Sequence, residues 1–332
     1  MPDPTIPNST PSRRKNSTNV RLIISGLLIR GLIRAGFRLV PGLTAGYAAR
    51  LFLTPQRRPA PGRSRSVSRE TPLAVDGPLG PQAAWLYGRH ENPAGPVILL
   101  VHGWEDDHLS WAPFIDRAVA AGYRVLAPDL PAHGRSPGRQ TGIPVLAAGI
   151  AATTREAARL GLVGGAVPFH AVIAHSLGGT ATLLAAAELG LAARRIAILA
   201  APNHPRLFAA AMMTMLGLGK AQTEAVFRAI ERRVGRSMDS LYLPPLLRRF
   251  GMPGLILHSR DDRVVPLAHS RENAAAWPGA GLRILDGLGH RRLVSDPQVH
   301  ATLLHFIGSD APADSFGAEA GAEAGAQTNA AA

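Results

Sequence analysis

The 332-residue chain contains no cysteine. Disulfides, zinc–thiolate sites, iron–sulfur clusters and a thiol nucleophile are therefore excluded. Charged residues are sparse at 18% and aromatic ones at 5%, against 46% apolar residues. That balance excludes a disordered or fibrous protein and leaves one large globular domain or two small ones. Negative charge is nearly missing from one end. Residues 1–69 hold thirteen Lys or Arg and a single acidic residue, Asp3, whereas residues 70–332 hold 23 basic and 22 acidic residues. The body is close to neutral, so an anionic partner would be met by the N-terminal arm, and nucleic acid is disfavoured as a partner of the body.

A long apolar run is missing from that arm as well. Residues 1–19 are rich in Pro, Ser, Thr and Asn around the triplet Arg13-Arg14-Lys15, a composition that cannot bury enough surface to order itself. Residues 20–52 turn apolar, yet Arg30, Arg34 and Arg38 recur every four residues and cut the region well short of the roughly 20 residues a membrane span needs. The same arginines interrupt any signal-peptide core, so an export signal is not expected and the expected location is cytoplasmic. Two readings of the arm (residues 1–53) remain. In one, an amphipathic helix lies on an anionic membrane surface through residues 13–53 at the inner membrane face, and removing the arm leaves turnover unchanged. In the other, the helix packs on the body and its arginines face water.

Residues 54–70 read as a Pro/Arg/Ser linker. Beyond it, near-continuous apolar runs at 96–101, 123–128, 169–175, 194–200, 253–259 and 281–286 predict strands buried on both faces. Weaker strands are expected near 72–76 and 83–88, and helical patterns fall near 111–121, 144–160, 177–190 and 297–308. The alternation predicts an α/β fold with a mostly parallel sheet. The interval 203–250 is too long for a simple connection and has Met212, Met213, Met215, Leu216, Phe227 and Ile230 at helical spacing, so a helical cap over the strand ends is expected. Its methionines suit packing first and substrate contact second. The Ala/Gly-rich tail, 309–332, is low in complexity and expected to be disordered.

Ser-x-Gly occurs at Ser136, Ser176 and Ser315, but only Ser176 follows a strand pattern and precedes a helical one. A sharp strand-to-helix turn exposes a serine hydroxyl and needs small neighbours, which Gly178 and Gly179 supply. This stretch, Ala174-His175-Ser176-Leu177-Gly178, resembles the Gly-x-Ser-x-Gly elbow of the α/β-hydrolase superfamily with alanine for the first glycine. Over about residues 71–308 the resemblance implies the α/β-hydrolase fold: a mostly parallel sheet flanked by helices, with a helical cap insertion. It further implies that the strand ending in His102-Gly103-Trp104 contributes to an oxyanion hole made by the backbone N–H groups of Trp104 and Leu177, with His102 structural. Asp129, His133 and Ser136 resemble a structural loop of the family. Asp262, preceding Arg263-Val264-Val265-Pro266, resembles the family's triad acid, with Asp261 as fallback. His290, in a glycine-flanked loop after the last strand, resembles the base, so the chain order is Ser, Asp, His.

The reading implied is a serine hydrolase that cleaves a carboxylic ester or thioester of small to medium, modestly polar acyl character through an acyl-enzyme, without cofactor or metal. A serine in place of an elbow aspartate disfavours the dehalogenase and epoxide hydrolase branches. Acyltransfer to an alcohol, cofactor-free haloperoxidase activity on the same triad and a non-catalytic scaffold tethered by the basic arm are the alternatives. His175 is expected to line the floor of the site. The sequence leaves the acyl chain, the leaving group and the oligomeric state open.

Overall fold

In the strands of the sheet, apolar side chains alternate between two covered faces. The computed structural model describes residues 31–57, 66, 68–164 and 168–309. Its eight strands are β1 (Glu70–Gly77), β2 (Gly80–Tyr87), β3 (Val97–Val101), β4 (Arg124–Pro128), β5 (Ala171–His175), β6 (Ile196–Leu199), β7 (Gly254–Ser259) and β8 (Ala280–Leu285). They form one sheet in the order β1-β2-β4-β3-β5-β6-β7-β8. The pairs β1–β2 and β2–β4 are antiparallel and all later pairs are parallel. Every residue of β3, β5, β6 and β7 is buried, as expected for parallel strands covered on both faces.

Val97, Leu99 and Val101 of β3 pack into one core with Leu146, Ile150, Leu183 and Leu184, whereas Ile98 and Leu100 pack into the other with Phe114, Ile115, Leu303 and Phe306. The first core is closed by α3 (Ile143–Arg159) and α4 (Ser176–Glu188), the second by α2 (Ala112–Ala120) and α9 (Pro297–Gly308). Register brings Val101 beside Ala174 and Ala174 beside Ile198, so β3, β5 and β6 end together. Their outgoing loops therefore meet at one edge of the sheet, where open α/β sheets place their sites.

Between β6 and β7 lie α5 (Pro205–Met215), α6 (Lys220–Val234) and the short α7 (Pro244–Leu247). The apolar region near the N-terminus is also helical, over residues 31–39 and again in α1 (Pro41–Phe52). The two segments break at Val40, just before a proline that cannot continue the backbone ladder. Ala45, Ala49 and Leu53, four residues apart, form the buried stripe of α1 and join Met213, Val226, Phe227 and Ile230 in a third core. Small residues on α1 let it approach α6 closely. Further along, the Arg57 guanidinium donates to the carbonyls of Ala132, Gly134, Ser136 and Gly138 at 2.6–3.3 Å. The described part of the arm is thus built into the body, although part of the supposed linker, 58–65, and the segment 13–30 lie outside the described residues. So do 1–12 and the tail from 310. Among the described residues no helix is long and apolar enough to cross a membrane.

Ala49 is fully buried, so Ala49→Asp places an unpaired carboxylate between α1 and α6. We expect a loss of about 2–4 kcal/mol and a melting temperature several degrees lower, read by thermal denaturation of the full chain.

Candidate active site

The turn that carries Ser176 is set by close backbone packing. Ser176 is the first residue of α4 and has a left-handed φ of 52°, a conformation that costs a non-glycine residue free energy and turns its hydroxyl out of the sheet edge. A Cβ at Gly178 would stand 2.0 Å from the carbonyl oxygen of His102, and one at Gly179 would meet Ala201 at 2.8 Å. Gly103 lies equally close to the elbow, since a Cβ there would be 3.0 Å from His175 Nδ1 and 3.2 Å from Ser176 Cβ. Ala174, where the superfamily motif has glycine, sits at the end region of β5 with its methyl in the core, and needs no positive φ.

His290 comes from the loop after β8, shaped by Gly287 and Gly289 at φ 76° and 59°. Its Nε2 accepts the Ser176 hydroxyl at 2.8 Å, and its Nδ1–H donates to Asp262 Oδ2 at 2.7 Å. The remaining oxygen of Asp262 accepts the N–H groups of Val264 and Val265 at 2.7 and 2.9 Å. Burial acts to raise the pKa of Asp262, but the bond from His290 and these backbone donors prevail and hold it below the usual carboxylate range. Asp262 is therefore ionised at neutral pH, and the stability it supplies is lost only as pH falls below about 3.9 toward its folded pKa.

Asp261 does not meet His290. It accepts the Ser259 hydroxyl at 2.6 Å and the Gly289 N–H at 3.3 Å. Ser259 Oγ in turn accepts the N–H groups of Leu288 and Gly289, both at 3.1 Å. Asp261 and Ser259 together fold the loop that presents His290. Sequence reasoning missed Ser259, whose only signal was its place at the end of β7 beside the acidic pair. His175 was expected on the floor of the site, and it does more there. Its Nε2–H donates to the His290 carbonyl at 3.0 Å, and the two rings lie 4.8 Å apart. Burial first, then the charge of His290, push the pKa of His175 down to about 3, so it stays neutral beside the base.

Of the other histidines, His258 stands beside the site, its Nε2 3.6 Å from Asp262 Oδ2, whereas His102 and His108 bond away from it. His102 accepts the Leu130 N–H at Nε2 and contacts the Gly103 carbonyl at 2.7 Å through Nδ1. His108 stands 2.8 Å from Asp129 and stacks on Trp85 rather than reaching the serine. Ser136 donates to the Asp129 carbonyl and accepts the Ala83 N–H, which fastens the 129–136 loop to the sheet. His258, buried in β7, bonds Ser270 and the Val265 carbonyl.

Ser176 and His290 open into a cavity of about 360 Å³. Trp104 and Leu177 line its base, and Phe208, Met212 and Ile230 of the cap line its roof. Met213, by contrast, packs in the third core. Leu51, Phe52 and Leu53 of the N-terminal arm also line the cavity. The end of α1 is thus part of the cavity wall, so removing residues 1–53 would open that wall. Among the described residues no three His, Asp or Glu side chains are grouped to hold a metal ion.

With this geometry in view, the alpha/beta hydrolase family model matches residues 98–302. The chain belongs to the alpha/beta hydrolase family. It is 25% identical over 257 residues to the pimeloyl-[acyl-carrier protein] methyl ester esterase of Stenotrophomonas maltophilia, a match covering 66% of this chain and 96% of that protein. It is 30% identical over 256 residues to the magnesium-chelatase 30 kDa subunit of Rhodobacter capsulatus, covering 64% of this chain and 86% of the relative. Among solved structures, an esterase of Pyrococcus furiosus superposes with a TM-score of 0.58 at 16% identity, over 77% of this hydrolase and 96% of that chain. At that identity the likeness speaks to the fold.

Two outcomes are expected. Gly178→Ala forces the elbow away from the His102 carbonyl, so activity toward any ester should fall by about 10²-fold or more in a steady-state assay. His133, buried and next to His102, has its pKa pushed down to about 3, chiefly by burial. Because the unfolded chain takes up that proton near pH 6.5 and the fold does not, stability is lost as pH falls from about 6.5 toward 3. His133→Gln should flatten the decline of melting temperature over that window.

Proposed function

We propose that the protein is a serine esterase working through Ser176, His290 and Asp262, and that its substrate is a carboxylic ester or thioester with a small to medium, largely apolar acyl group. The observation that carries this reading is the unbroken relay from Ser176 Oγ through His290 to Asp262, at 2.8 and 2.7 Å, opening into an apolar cavity. Ester chemistry is also the activity named for the Stenotrophomonas relative.

His290 Nε2 takes the proton of Ser176 as its oxygen attacks the acyl carbonyl, and Asp262 fixes the imidazole tautomer and stabilises the imidazolium. Leu177 is the second residue of α4, where the backbone N–H has no intrahelical acceptor. With the N–H of Trp104 across the cavity base, it is assigned to the oxyanion, whose developing charge such preorganised donors stabilise. His290 returns the proton to the leaving alcohol or thiol, and water activated by the same imidazole hydrolyses the acyl-enzyme. The apolar wall of Leu51, Phe52, Phe208, Met212 and Ile230 favours an apolar acyl chain over a charged one.

A fluorophosphonate probe should label the wild type and neither Ser176→Ala nor His290→Ala. On p-nitrophenyl esters of increasing acyl length, Asp262→Asn should lower kcat by about 10³- to 10⁴-fold. Asp261→Asn, which disturbs only loop geometry, should stay within about tenfold of wild type. A well-folded wild type that resists the probe would sink the reading.

A further inference from the structure

Large apolar side chains are exposed in one region of this protein far more than elsewhere. Of the fourteen strongly exposed among the described residues, six lie between Leu32 and Leu51 and four between Leu207 and Leu216. On α1 the exposure is a stripe. Leu43, Tyr47 and Leu51, four residues apart, are 75%, 61% and 56% exposed, while Ala45 and Ala49 on the opposite side are buried against the cap. On α5 the same division holds, with Ala209 and Met213 buried in that core and Leu207, Met212 and Met215 outside it.

The two exposed faces converge on the cavity. α1 and α5 pack on one shared cluster centred on Phe227 and Ile230 of α6. Leu51 from α1 and Met212 from α5 line the catalytic cavity while remaining exposed, and Val264, 49% exposed, joins them at the rim. Monomeric proteins seldom leave so many apolar side chains together in water, and such a patch marks an interaction surface.

Charge selects the occupant. Arg34 and Arg38 in the helix 31–39 and Arg50 in α1 are exposed, and the described residues 31–52 carry no acidic side chain. The arm as a whole, residues 1–69, has thirteen basic residues against one acid. An apolar stripe with cations and no anions suits the boundary of an anionic bilayer, with alkyl side chains below the headgroups and guanidinium groups among them. We infer that the outer face of the N-terminal helices and α5 docks on an anionic lipid surface, so that the catalytic cavity opens onto the membrane and an ester substrate enters from it. The inference about binding stands whether or not the esterase reading holds; the route of the substrate rests on that reading.

The full chain, wild type and variant, is sedimented with vesicles of phosphatidylcholine alone and of phosphatidylcholine with phosphatidylglycerol. Wild type should bind the mixed vesicles and release them at high salt. The double variant Leu43→Glu, Tyr47→Glu changes only exposed side chains outside the cavity. It should keep its melting temperature and its turnover of a soluble short-chain ester, yet lose about tenfold or more in vesicle binding. Arg34→Gln and Arg38→Gln should each weaken binding to the mixed vesicles by about fivefold and leave the weak binding to phosphatidylcholine unchanged. An ester dissolved in the vesicles should be turned over more slowly by the double variant while the soluble ester is not. Wild type that ignores both vesicles overturns the inference. So does a double variant that binds as wild type, which would assign the attraction to the basic segment before residue 31. A dimer that the double variant dissociates would make the face a contact between copies and overturn it as well, as would tighter binding to duplex DNA than to the mixed vesicles.

Discussion

The close approach of the loop after β3 to the turn after β5 is the constraint on which the site depends. The carbonyl of His102 occupies the space a side chain at position 178 would need, and Gly103 lies against the ring of His175 and the Cβ of Ser176. That packing holds the left-handed turn at Ser176 against its intrinsic cost. It also sets Trp104 and Leu177 on the same cavity wall. The parallel register of β3, β5 and β6 makes the approach available, because their ends coincide.

A second set of bonds positions His290. Leu288 packs the loop bearing His290 against the second core, and Ser259, Asp261 and the His175 ring fix its backbone through the N–H groups of Leu288 and Gly289 and the carbonyl of His290. The acidic pair therefore divides its labour. Asp262 addresses the imidazole, and Asp261 holds the chain that carries it. The turn after β7, closed by the Asp262 N–H on the Ser259 carbonyl at 3.0 Å, aims the two carboxylates at these separate partners.

Most of the fold was legible because its signal is local. Runs such as PVILLV and GLIL are apolar at every position, as strands covered on both faces require, and the predicted and observed elements differ by at most three residues at their ends. The elbow was legible for a related reason, since Ser176 stands between such a strand and a helix. What escaped was non-local. Nothing in the composition of 54–70 shows that Arg57 reaches four carbonyls of the 132–138 loop, because a guanidinium in a Pro/Ser segment reads the same whether it is solvated or docked. Nor does helical spacing tell whether the apolar face of α1 meets lipid, cap or both. In the structure the alanine stripe is buried against the cap and the leucine–tyrosine stripe is exposed.

The histidine pair at the elbow shows how burial serves chemistry. Two imidazoles 4.8 Å apart compete for any proton taken up there, and two imidazolium ions would repel. His175 escapes the competition by being enclosed, with its pKa pushed down to about 3, while its Nε2–H is committed to the His290 backbone. His290, half-buried at the cavity wall, keeps Asp262 on its far nitrogen and Ser176 on its near one. Of the two rings, it is His175 that is held neutral. It serves as a neutral support that ties the residue before Ser176 to the backbone of the loop carrying His290.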